Sequence, residues 1–350
     1  MKKLNNIGII TFTYGDNYGQ RLQNLAVQEL ISPYAENVYT LKQIKPDFSL
    51  KFQLKQYKKI LEKGIVFSMM ERHRKFIEFD NKYIKYFSVP INYKHPAEFP
   101  EKEFDYFVAG SDQIWSPFSR DVNDTMFLTF TSKEKRIALA PSIAANYIPD
   151  NQTEKYRDYF NGFSKLSVRE NTSAELIKNI SNRDAEVLID PTLAFDAKYW
   201  RKYEQSFNTP PKYVLCYFLG SDDKLDAINK YAEKNHCVIV NLLSDRKYAH
   251  IGPSEFLYFI DNADLIVTDS YHGMIFSLIF NKKVWILKRG GTNLDMTSRF
   301  TTLFEKMNNL INWFEEPTPE YVIDYTKLES LIQKERNAIN NYLVNSFTEN

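Results

Sequence analysis

Cysteine is scarce, with two in 350 residues. That is too few for a disulfide framework or a Cys-rich zinc site, and it makes the cytoplasm the default compartment. A basic surplus is missing as well. Lys and Arg number 45 against 44 Asp and Glu, a net charge of +1, whereas a dedicated nucleic-acid binder carries a clear positive excess. No run approaches the roughly 18 apolar residues that span a bilayer. Asn5 and Asn6 interrupt the short apolar stretch behind the first lysines, so it reads as a buried strand rather than a secretory leader. The 11 glycines form neither G-x-G-x-x-G nor a P-loop, which leaves a nucleotide-binding turn without support. His73, His95, His236, His250 and His272 are scattered, with no metal-ligand spacing. Neither a metal nor a cofactor is expected. No G-x-S-x-G nucleophile elbow is present, and there is no internal repeat.

Aromatic residues are plentiful instead, with 26 Phe and 23 Tyr. Tyr suits a carbohydrate site because its ring has a polar end; the simpler reading is a core and surface rich in aromatics.

Strand, loop and helix patterns alternate along the chain. Ile7 to Thr13 is apolar and β-branched, YGDNYGQ follows, and Leu22, Leu25, Ala26, Leu30 and Ile31 recur at helical spacing. Further buried strands are expected at Phe104–Gly110, from Arg136, at Lys165–Val168 and at Glu186–Ile189, the last closed by Asp190-Pro191-Thr192. Pro210 and Pro211 mark a linker. The alternation then restarts with YVLCYFLG, CVIVNLL, ADLIVTDS and KVWILKR as strands, and with a short helix that Ser254 would cap. The class is α/β, expected as two α/β domains at residues 1–200 and 205–318, with a C-terminal helix at 319–350 packing back. Ligands of such sheets bind beyond the carboxyl ends of the strands.

Residues 51–75 stand apart. They hold eight Lys or Arg and two Glu, a net charge of +6, interleaved with apolar residues, within an insertion at about 45–90. Such a segment fits either a basic amphipathic helix on an anionic membrane surface or a solvated helical face packed on the first domain.

ADLIVTDSYHGMIF carries the strongest local signal. A strand ends at Asp269-Ser270, and a helix opens on His272 and Gly273. The N–H groups and dipole of that helix end suit an anion, Gly273 admits a close approach, Ser270 caps the helix or contacts phosphate, and His272 suits proton transfer. The alternative is plain capping with an incidental surface His. In YGDNYGQ, Asp16, Asn17 and Gln20 can bond hydroxyls of an acceptor, or form an ordinary turn with Gly15 and Gly19. Ser111, Asp112 and Gln113 beside Trp115 suit a sugar, or again a turn. Arg169 suits a carboxylate or phosphate, or a surface salt bridge with Glu170. Lys288 and Arg289, followed by two glycines and later by Arg299, suggest a cationic loop beside the cleft.

Six stretches, IGIITFTYGDNYGQRLQNLAVQELI, FDYFVAGSDQIWSP, KLSVRENTSAELI, VLIDPTLAF, IGPSEFLYFIDNADLIVTDSYHGMIFSLIF and TSRFTTLFEKM, together resemble the polysaccharide pyruvyl transferase family. The resemblance implies a GT-B-like fold of two Rossmann-like domains. It also implies transfer of the pyruvate unit of phosphoenolpyruvate to a sugar or lipid-linked oligosaccharide, giving a pyruvate ketal in a capsule, exopolysaccharide or cell-wall glycan. The family's His falls on His272 and its Arg on Arg169. Several relatives have Arg two residues before the His, where this chain has Ser270, so a donor contact is expected from Lys288 or Arg289. The runner-up expectation is a GT-B glycosyltransferase using a nucleotide sugar. A third is a non-enzymatic scaffold or sugar-binding protein.

Overall fold

A computed structural model describes residues 3–44, 66–220, 225–289, 297–314 and 322–348. The elements of the first half are β1 (Leu4–Ile10), α1 (Tyr18–Ile31), β2 (Ala35–Thr40), α2 (Val66–Tyr83), β3 (Tyr106–Ala109), β4 (Arg136–Ala138), α3 (Thr153–Asn161), β5 (Ser167–Val168), α4 (Asn171–Ser181), β6 (Glu186–Val187) and α5 (Ala197–Trp200). The second half holds β7 (Tyr213–Tyr217), α6 (Leu225–Asn235), β8 (Val238–Asn241), α7 (Pro253–Asn262), β9 (Leu265–Thr268), α8 (Tyr271–Ile279), β10 (Val284–Ile286), α9 (Ser298–Lys306) and α10 (Tyr325–Thr348).

Each half is built on a four-stranded parallel sheet, ordered β2-β1-β3-β4 and β10-β9-β7-β8. Every residue of β3, β7, β9 and β10 is buried, as expected of parallel strands covered on both faces. β5 and β6 pair with each other and continue past β4 through the Ile137–Lys165 bridge. β1 ends at Ile10 rather than Thr13 because Thr11 already turns, its Oγ1 donating to the Ser111 carbonyl at 3.0 Å.

The helix starts follow local chemistry. The Asn17 side chain accepts from Gln20 N at 3.2 Å to begin α1. α7 starts with Pro253 behind Gly252, whose N–H donates to Glu255 at 3.0 Å, so the cap lies two residues before the expected Ser254, at Gly252.

The halves share an apolar seam. Tyr18 of α1 stacks on Phe256 of α7 with ring centroids 4.4 Å apart, a pairing worth about 0.5–1.5 kcal/mol beyond burial. The Tyr18 hydroxyl donates to Ile251 O at 3.2 Å. α2 braces the seam through Phe76, 5.3 Å from Tyr18, and through Lys75, whose Nζ lies 2.6 Å from Glu255.

Of the basic segment 51–75, residues 51–65 lie outside the described residues. The remainder opens α2, which runs on to Tyr83. Among the described residues no helix is long and apolar enough to cross a membrane. α10 starts beside the second sheet, where Tyr325 donates to Lys282 O and Lys306 pairs with Glu335 at 2.6 Å. It ends on the first, where the Tyr342 hydroxyl donates to Ala138 O at 2.6 Å.

Candidate functional site

The loops that leave the carboxyl ends of β1, β3, β6, β7, β9 and β10 converge on one crevice between the halves. Asn17, Gln20, Asp112 and Gln113 line it from the first half. Leu219, Ser270, Tyr271, His272, Arg289 and Arg299 line it from the second, around a volume of about 90 Å³.

His272 sits in the first turn of α8 because β9 ends at Thr268 and Ser270 caps the helix, its Oγ accepting from Gly273 N at 3.3 Å. The His272 side chain is 10% exposed. Its Nε2 lies 3.3 Å from Oδ2 of Asp190, and its other edge rests over Gly19 of α1. Asp190, wholly buried, is the hub. The same Oδ2 accepts from Arg169 Nη1 at 2.6 Å, and Oδ1 accepts from Thr192 N at 3.0 Å and Oγ1 at 2.6 Å. Burial works against the charged form of Asp190. The neighbouring His272 and Arg169, with the Thr192 bonds, outweigh it and hold the carboxyl well below the usual carboxylate range. Burial likewise opposes the charge on Arg169, and Asp190 more than offsets that.

Arg169 is no surface residue. Its side chain is completely covered and stands behind the crevice wall, with Asp112 Oδ1 3.7 Å from Nη2. Glu170 does not pair with it. Glu170 Oε1 accepts instead from Ser142 Oγ at 2.9 Å, Ile143 N at 3.1 Å and Ala144 N at 3.3 Å, shaping the turn after β4. Tyr271 lies between two guanidiniums, with Arg169 Cζ 4.8 Å and Arg299 Cζ 5.2 Å from its ring centroid. The Gln113 amide meets the Arg299 guanidinium, and with its oxygen turned that way the oxygen accepts from Nη1 and, at 3.1 Å, from Nη2. Burial, followed by the charge of Arg169, brings the Arg299 pKa down to about 10.

Asp112 has φ 78, in the left-handed region that costs a non-glycine residue about 1–3 kcal/mol and recurs at functional sites. Asp269 caps the Leu219 and Gly220 N–H groups, both at 2.7 Å, with Arg289 Nε 3.7 Å away.

Several expected contacts fall elsewhere. Asp16 turns to α2, its Oδ1 2.9 Å from His73 Nδ1. The Ser111 side chain is fully buried beneath the turn it belongs to. Trp115 is a core residue, stacked 5.4 Å from Phe127 with its N–H on Met126 O, so no indole face meets a sugar. Lys288 is exposed, with Nζ 5.9 Å from the Trp313 ring, while the adjacent Arg289 reaches the crevice. Gly273 answers to packing: a Cβ there would come 2.6 Å from Thr268 Oγ1 and 3.1 Å from Tyr217. Asp190 and Tyr271 were not among the expected contacts, Arg299 was expected only as a late cation of the loop after β10, and Gly19 only as a turn residue. The Asp-Pro-Thr turn after a strand and the TSRF helix start were the available signals.

A family model described as polysaccharide pyruvyl transferase matches residues 17–290. No curated protein matches the sequence. Among solved structures, UDP-GlcNAc 2-epimerase of Neisseria meningitidis bound to UDP-GlcNAc shares 10% identity, covering 99% of this chain and 97% of that one at a TM-score of 0.50. A glycosyltransferase of Rickettsia africae shares 12%, covering 99% and 95% at 0.47. The UDP-GlcNAc 2-epimerase of Methanocaldococcus jannaschii shares 12%, covering 94% and 92% at 0.46. At these identities the likeness concerns the fold alone, two Rossmann-like halves in the GT-B arrangement.

Proposed function

Because the chain belongs to the polysaccharide pyruvyl transferase family, we propose that it moves the pyruvate unit of phosphoenolpyruvate onto two hydroxyls of one sugar residue, releasing phosphate and leaving a ketal. The observation that carries this reading is the His272–Asp190 pair, 3.3 Å apart, at a crevice also lined by Arg289 and Arg299. A donor with a carboxylate and a phosphate brings about three negative charges. Buried guanidiniums and the positive end of the α8 dipole suit it.

In this reading His272 gives a proton to the methylene carbon of the donor, and the neighbouring carbon becomes cationic. One sugar hydroxyl bonds to that carbon, passing its proton to Asp112. The carbon–oxygen bond to phosphate then breaks, and the second hydroxyl bonds to the same carbon. Asp112 hands its proton to the departing phosphate, and the proton of the second hydroxyl restores His272. Asn17, Gln20 and Gln113 face the acceptor from the first half, and the narrow crevice limits water, which competes for the cationic carbon. The steps close without a further cofactor.

The test is incubation with phosphoenolpyruvate and sugar or lipid-linked oligosaccharide acceptors, reading product mass. A gain of pyruvate less one water supports the reaction. Release of a nucleoside diphosphate from a nucleotide sugar, with no ketal product, would replace it with glycosyl transfer.

A further inference from the structure

Two arginines line the crevice, and a third stands behind it. Arg169 is spoken for: its side chain has no exposure, and Nη1 is bound to Asp190 at 2.6 Å. Arg299 is in a different state. It is 5% exposed, and among the described residues no carboxylate lies within ion-pair distance of it. Its Nε has no hydrogen-bond partner among them either. Its Nη groups meet a neutral amide, Gln113, and its face meets the Tyr271 ring. The negative charges of Asp112 and Glu170 act on it from beyond ion-pair distance and do not offset its burial beside Arg169, and a buried cation with no carboxylate in contact favours a ligand that supplies one.

We propose that Arg299 is the residue that takes the doubly charged phosphate of the donor, and that Arg169 is a positioning residue that fixes Asp190 and, through it, His272. The Arg299 fork can offer two parallel N–H groups to a phosphate at the mouth of α8, with Arg289 on the other side. The identity of the donor rests on the reading above; the seat for a phosphate dianion does not.

Calorimetry with inorganic phosphate and with phosphoenolpyruvate tests both roles. Arg299→Gln should weaken both ligands on the order of 10- to 100-fold. It should also leave the ligand-free melting temperature equal or higher, because it removes an unpaired buried charge; a structural arginine would lower it. Should that variant not fold, Arg299→Lys keeps the charge, loses the fork, and should still weaken both ligands. Arg169→Lys should change the donor KM by less than about threefold while kcat falls and its pH profile shifts, the split expected of a residue acting through His272.

Unchanged affinity in Arg299→Gln, or a donor KM lost in Arg169→Lys as fully as in Arg299→Gln, overturns the assignment. A wild-type protein that binds neither ligand overturns it too. One that binds phosphate through Arg299 but not phosphoenolpyruvate upholds the seat and removes the pyruvyl donor.

Discussion

His272 of the second half rests on the bare α-carbon of Gly19 in the first. A Cβ built on Gly19 would run into Nδ1 and Cγ of the imidazole and lie 2.7 Å from Cε1. Glycine stands in the first turn of α1 because a ring occupies the space a side chain needs, a different reason from the turn flexibility that its sequence context suggests.

Gly19→Ala should therefore act as a catalytic lesion at a distance. The methyl must push the ring from Asp190 or part the halves. A displacement of about 1 Å at a reacting group costs on the order of 100-fold. Steady-state phosphate release beside circular dichroism checks it: normal activity in a folded Gly19→Ala protein would show that the ring is free to move.

His272→Ala should lower transfer by about 10²- to 10⁴-fold, the usual worth of a general acid, with folding intact, since Asp190 keeps Arg169 and Thr192 as partners. Turnover at the wild-type rate in a phosphate-release assay would remove His272 from the chemistry.

Asp190→Asn should destabilise the protein by about 3–5 kcal/mol, because it strands the covered Arg169 guanidinium. The sign with pH follows from the depressed carboxyl of Asp190. Its contribution is fully present above the unfolded value of about 3.9 and is lost as pH falls through the lower folded value. Urea unfolding of both proteins should show a constant gap from pH 7 to 5 that narrows only below about pH 4.

Glu204 should behave in the opposite sense. Burial, and then the charge of Asp261, push its carboxyl up to about 7. Its stabilising share is therefore complete below the ordinary carboxyl range and is lost as pH rises through 7. Glu204→Gln should melt above wild type at pH 8 and lose that advantage by pH 4.5. A gap independent of pH would mean the carboxyl is better solvated than its surroundings imply.

The alternation of apolar runs and helical spacing was enough to place the two parallel sheets, because a strand covered on both faces must be apolar at every position, as Leu265–Thr268 is. The site was legible where one short loop carries it, at Ser270–His272. It was obscured where sequence adjacency stood in for direction. Asn17 and Asp16 are neighbours, yet one caps α1 at the crevice rim and the other reaches α2. Trp115 follows Gln113 by two residues but is pulled into the core by Phe127. Asp190 was hidden for another reason. Its partners lie 21 residues back and 82 residues ahead in the chain, and only the fold brings an arginine and a histidine onto one carboxylate.

α10 has 24 residues, about 36 Å at 1.5 Å each, and it is anchored to Lys282 at its start and to Ala138 near its end. The polypeptide therefore passes between the halves twice, once around residues 204–212 and again along this helix. Together with the apolar seam at Tyr18 and Phe256, these two crossings bind the halves to one another, and cutting the chain ahead of Tyr325 should lower the melting temperature.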